Sequence, residues 1–138
     1  MVTVRHAPTS AGEVRRELGA DLARRGLSAE VVDHATLLAS ELVGNSVRYA
    51  HPLPGGVLRV AWTVERNCLR VRVTDGGGRS APQLREAGPA DTRGRGLAIV
   101  AALARHWGVD RSAHQGVGTA SGGSAAASTV WAELALTG

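Results

Sequence analysis

The chain has 138 residues, of which 43% are hydrophobic and 20% charged, and its formal net charge is +4. Those values are expected of one soluble globular domain spanning 1–138. Aromatics make up only 3%, too few for the stacking platforms of a nucleic-acid-binding surface, so no direct nucleic-acid partner is expected.

All 16 positive side chains are arginine, and they are scattered rather than massed in a stripe. The longest apolar run, GLAIVAALA at 96–104, is far short of a membrane span. The N-terminus has no apolar core followed by a cleavage site, so a cytoplasmic protein is expected. A single cysteine, Cys68, excludes an intrachain disulfide, and its strand-like surroundings predict an inert thiol. His6, His34, His51, His106 and His114 show no metal-ligand spacing.

In chain order, residues 2–6 read as a short edge strand ended by Pro8. Thr9 or Ser10 can cap a helix that runs to about Arg25, with Glu13 in its first turn and Ala11, Val14, Leu18 and Leu22 at helical spacing. Gly26 stops it. Ser28 then opens a long helix that His51-Pro52 closes. On it Val31, Ala35, Leu38, Leu42 and Tyr49 form a core stripe, while Leu37, Glu41, Asn45 and Arg48 form a neighbouring stripe that turns polar.

Two strands follow at 57–65 and 68–75, joined by a tight Arg66-Asn67 turn and therefore expected to be antiparallel. Alternation groups Leu58, Val60, Trp62 and Val64 on one face and Leu69, Val71 and Val73 on one face of the next strand. The same parity puts Asp75 on the apolar side, an expensive position for a carboxylate that nothing uses. Residues 76–95 are rich in Gly, Pro and charge and read as a long loop, with a lid at 79–93. A helix is expected over 96–107, with Leu97, Val100, Ala101 and Ala104 inward, then a strand over 109–114. The stretch 115–128 is low-complexity and reads as a flexible loop, and 129–136 closes the chain as a strand. Strands grouped against helices predict a two-layer α/β sandwich, its mixed, mainly antiparallel sheet covered on one face by helices.

Three short patterns carry chemistry. Glu41 and Asn45 are one turn apart on one helix face, where an amide oxygen can ligate Mg²⁺ and a carboxylate can polarise a hydroxyl or water. Any solvated helix face also produces such a pair. Asp75-Gly76-Gly77-Gly78 ends a strand, so a fixed carboxylate can accept from an exocyclic amine while glycine lets the backbone come close. Gly94-Arg95-Gly96 opens a helix, whose free amides bind phosphate, with Arg93 and Arg95 adding charge. Each alone is an ordinary turn, hinge or surface feature.

In this order the three resemble the GHKL ATPase/kinase superfamily (the Bergerat-type ATP-binding fold). Within it, ASELVGNSVRYA, VRVTDGGG, RGRGLAIVAALARHWGV and TVWAELAL resemble the anti-sigma-factor serine/threonine kinases and the related short ATP-binding regulators of actinobacteria. The resemblance runs from about Ala11 to Leu136. It implies ATP and Mg²⁺ as ligands, with Asp75 on the adenine amine, Gly77 shaping that wall, and Asn45 on Mg²⁺. Gly94, Gly96 and the amides around Leu97 would hold the phosphates, Arg93 or Arg95 would clamp them, and Thr129 would line the adenine pocket, although strand parity leaves its direction open. Glu41 would be the general base. Two departures stand out: Arg79 where many relatives have a further glycine, and the long 115–128 segment.

Only Thr137 and Gly138 follow the last strand, so no transducer domain of the topoisomerase, mismatch-repair or chaperone kind is expected. The resemblance implies a kinase that phosphorylates a STAS-class anti-sigma-factor antagonist and sequesters a sigma factor in a partner switch. Homodimerisation is implied too, with the open sheet face carrying Arg59, Arg70, Arg72, Trp131 and Glu133 as one available surface. Two alternatives remain: a non-catalytic ATP-binding module that sequesters a regulator, and a detached histidine-kinase ATP domain.

Overall fold

The computed structural model describes residues 1–78, 100, 102–111 and 127–136. Among the described residues five strands form one sheet: β1 (Val2–Arg5), β2 (Val57–Glu65), β3 (Cys68–Asp75), β4 (His106–Arg111) and β5 (Ser128–Ala135), in the order β1-β2-β3-β5-β4. Two helices, α1 (Ser10–Arg24) and α2 (Ala29–Tyr49), cover one face. This is the two-layer α/β sandwich that the patterning predicts. Every pairing in the described sheet is antiparallel, in keeping with the mainly antiparallel sheet expected.

Local chemistry explains the helices. Ser28 caps α2 by accepting the Val31 amide at 3.2 Å. At α1, neither Thr9 nor Ser10 caps in the expected way: Thr9 makes no side-chain cap bond, and the Ser10 hydroxyl instead donates back to the Arg5 carbonyl. The other end of α1 stops as the sequence implies. Gly26 and Leu27 donate to Ala23 and Leu22, closing the last turn through a glycine just beyond it.

The buried face of α1 is Ser10, Val14, Leu18 and Leu22, at the expected spacing. On α2 the buried set differs from the predicted stripe: Val31 and Tyr49 are only partly buried, while Ala35, Leu38 and Leu42 are joined by Ala39, Ser40, Val43, Asn45 and Ser46. The reason is that α2 packs against both α1 and the sheet, so two adjoining faces are covered. Beneath the helices lie Leu58 and Val60 of β2, Leu69, Val71 and Val73 of β3, and Val130, Ala132 and Leu134 of β5. Burying each Leu or Val stabilises the fold by roughly 1.5–3 kcal/mol relative to leaving it exposed.

The chain enters β4 earlier than expected. Residues 100, 102 and 103 are helical, with the Ala104 amide bonded to the Val100 carbonyl, but the Arg105 amide already donates to Glu133 in β5. His106 and Trp107 are therefore strand, paired with Glu133 and Ala132, and not the end of a helix. Sheet pairing to β5 overrides the helical spacing that the alanine-rich run carries into this segment. Ser128 likewise belongs to β5 rather than to the preceding loop. The lid at 79–93 and most of the 115–128 loop lie outside the described residues.

Candidate nucleotide-binding site

Strand alternation and helix register meet at the C-terminal ends of β3 and α2. In β3, buried and partly buried residues alternate to the last position, so Asp75 follows Leu69, Val71 and Val73 onto the helix-covered face and is 1% exposed. Its Oδ2 accepts from the Ser46 hydroxyl at 2.6 Å, and its Oδ1 accepts from the Gly77 amide at 2.8 Å. Burial raises its pKa above the ordinary 3.8, opposed by the Ser46 and Gly77 hydrogen bonds and by the nearby His6 and His51. A carboxylate in this position spends stability on remaining charged.

The Gly76-Gly77 segment is held against the end of α2. The His51 amide donates to the Gly77 carbonyl at 2.6 Å, and the Gly76 amide donates to the His51 carbonyl at 2.7 Å. The approach is so close that a Cβ on Gly76 would overlap the Pro52 carbonyl oxygen. Gly77 has φ of +82°, a left-handed conformation that glycine adopts without strain. From the other side, His6 Nε2–H donates to the Ala50 carbonyl at 2.8 Å, tying the β1–α1 connection to the same corner.

Two polar atoms at this end of the molecule are buried and have no hydrogen-bond partner among the described residues: Asn45 Oδ1 and Ser128 Oγ. Ser128 is the register partner of Asp75 across β3 and β5, and its residue is 2% exposed. Asn45 is 2% exposed and adjoins Ser46 in α2. Native proteins rarely leave buried polar groups unpaired unless something else completes them.

Thr129, expected to line the pocket, points to the other face of the sheet. Its hydroxyl lies 2.9 Å from that of Thr74, its register partner. Period-two alternation then makes Ser128 the inward residue, a position that the low-complexity composition of 115–128 assigns to a loop. The signal was available: Val130, Ala132 and Leu134 face the core, so Ser128 does as well.

Hydrogen bonds thus join Asp75 to Gly77 and Ser46, and strand register sets Ser128 beside it; Asn45 adjoins Ser46 on α2, with Glu41 one turn earlier and half-buried. Arg93, Gly94, Arg95, Gly96 and Leu97 lie outside the described residues, as does Arg79. Among the described residues, no group of three or more His, Cys, Asp or Glu side chains forms a metal site. No described helix is long and apolar enough to cross a membrane.

Residues 4–120 match the family model of the histidine kinase-like ATPase domain, well over half of the chain. The chain belongs to that family. It is an ATP-binding, kinase-like domain of the GHKL type, and the five-stranded antiparallel sheet with its helical layer is the corresponding fold. The matched span includes the glycine-rich segment at 93–97 as well as the β3 end of the site. A search of curated proteins returned no match.

Proposed function

We propose that this ATPase domain is an ATP-dependent protein serine/threonine kinase of the anti-sigma-factor type. It phosphorylates a STAS-class antagonist in the cytoplasm, and the unphosphorylated antagonist competes with a sigma factor for the kinase. In this reading the domain acts as a homodimer, and 1–138 forms a single domain. The observation that carries the kinase reading is Glu41, a half-buried carboxylate one helical turn before the buried Asn45. The sequence resemblance to anti-sigma-factor kinases supports the choice of substrate and partner.

The adenine amine donates to the Asp75 carboxylate, and Ser128 Oγ, buried without a partner among the described residues, is available to the base or to a bridging water. Gly94, Gly96 and the amides around Leu97 hold the phosphates, with Arg93 or Arg95 closing on them. Asn45 Oδ1 fits a Mg²⁺ ligand: it is a hard oxygen acceptor, buried, and met by no donor among the described residues. Mg²⁺ normally takes one or two protein ligands and completes its shell with phosphate oxygens and water, and it supplies charge neutralisation when bound.

Glu41 accepts the proton of the substrate hydroxyl as that oxygen forms a bond to the γ-phosphorus. The bond from the γ-phosphorus to the bridging oxygen breaks, and ADP leaves with the electron pair. General-base assistance of this kind is worth about 10²- to 10⁴-fold. Glu41→Ala is therefore expected to keep nucleotide affinity within a few-fold while phosphoryl transfer to the antagonist falls by about that factor. Assays with labelled Mg-ATP and candidate antagonists check this, and unchanged transfer removes Glu41 from the role. Label that stays on nucleotide with every antagonist indicates a sequestering module instead. Acid-labile phosphohistidine on a separate acceptor indicates a histidine-kinase ATP domain.

A further inference from the structure

We propose that Ser46 is a positioning residue of the nucleotide site, its hydroxyl fixing the rotamer and the charge of the base-contacting Asp75. The inference rests on the reading of Asp75 as that contact.

Helix α2 contains three hydroxyl side chains with resolved bonds, and Ser46 behaves unlike the other two. Thr36 donates to the carbonyls of Val32 and Asp33, and Ser40 donates to the carbonyl of Leu37, the local back-bonding expected of hydroxyls inside helices. Ser46 instead reaches across the layer to Asp75, 29 residues away. It is the only side-chain hydrogen bond between α2 and β3 among the described residues. Packing alone does not require the oxygen, because an alanine would fill almost the same space and is the better helix former.

The two oxygens of Asp75 are fixed from different sources. Oδ1 is held by the Gly77 amide, a backbone group of the glycine segment itself, and Oδ2 is held by Ser46. Only the second is supplied by a side chain from another element. Two histidines also face this carboxylate, His6 from the β1–α1 connection and His51 from beyond α2, and both favour its ionised form. Burial acts the other way, and the Ser46 bond is the largest effect opposing it. Removing that bond leaves Oδ2 buried with one donor fewer, so the carboxylate both loosens and gains a proton more readily.

The test compares the full chain with its Ser46→Ala variant. A ¹³C NMR titration of the Asp75 carboxyl is expected to show its midpoint moving up by about one pH unit, the equivalent of one charge-assisted hydrogen bond. ATP affinity at pH 7 should fall roughly tenfold, and the acid limb of the affinity profile should shift upward with the carboxyl midpoint. Both proteins keep the same two histidines, so the difference between the profiles isolates Ser46. A variant of lower thermal midpoint whose Asp75 titration is unchanged makes Ser46 merely structural and overturns the proposal. If the wild-type chain binds no nucleotide, the ATP site itself fails, while the carboxyl titration still decides whether Ser46 governs Asp75.

Discussion

Strands β3 and β5 carry a polar cluster on each face, and the two clusters are finished differently. On the outer face, Arg70 donates to Glu133 from Nε at 3.0 Å and from Nη2 at 2.7 Å, and its guanidinium lies 4.5 Å from the centre of the Trp131 ring. There Arg70 and Glu133 answer one another. On the inner face, Asp75 is held charged against its burial, and Ser128 Oγ and Asn45 Oδ1 are without partners among the described residues. The outer cluster consists of side chains at 18% and 38% exposure that water can still serve, whereas the inner one has been taken out of water. A closed cluster stabilises the sheet, whereas buried polar atoms without partners cost stability.

The largest effect should come from Gly76→Ala, which breaks the inner face at its tightest point. The added Cβ meets the Pro52 backbone rather than a movable side chain, so the bridge between His51 and Gly76-Gly77 must open. A loss of about 3 kcal/mol is expected in denaturant unfolding, at the upper end of overpacking costs, together with weakened ATP binding. Retained stability with the bridge intact would show that this corner is looser than its hydrogen bonds imply.

Asp75→Asn separates function from stability. ATP affinity should fall roughly 10- to 100-fold, the value of a hydrogen bond to a charged acceptor. Stability should move differently, and the sign follows from the raised pKa of Asp75. An acid with a raised folded pKa favours the fold below its unfolded value, near 3.8, and that advantage is lost as pH rises through the folded value. The wild-type thermal midpoint should therefore decline relative to Asp75→Asn across that window and then run parallel above it. A pH-independent difference between the two proteins would mean that Asp75 is not penalised by the fold.

Glu133→Ala tests the outer cluster and should have the smallest effect. The pair is partly exposed, so solvent screening limits the expected loss to about 0.5–1 kcal/mol. ATP affinity should stay within twofold by calorimetry, since the substituted residue faces away from Asp75. A large loss of affinity would join the two faces into one functional unit and end the contrast between them.

Much of this was legible in the residues. The spacing of Val14, Leu18 and Leu22 sets the inner face of α1, and alternation in β3 by itself puts Asp75 on the buried side. The order of Glu41/Asn45 and Asp75-Gly-Gly along the chain resembles one family, and the family match spans both. The misplacements have physical causes. Trp107 sits in an alanine-rich helical run, and only pairing with β5 makes it strand. Ser128 ends a low-complexity stretch and Thr129 begins the strand-like run, and in a strand one residue is the whole thickness of the sheet.

By itself, then, the sequence determined periodicity: which faces of α1, α2, β2 and β3 are apolar, and hence a sheet covered on one side. It also determined the residue types that can meet adenine, phosphate and Mg²⁺. Only the tertiary structure decided which of them meet. Ser46 reaches Asp75 across 29 residues, Ser128 stands opposite it across a strand pair, and His51 clamps Gly77. Such contacts depend on strand register and on where α2 lies over the sheet. Those are set by the packing of the whole core, not by any local spacing.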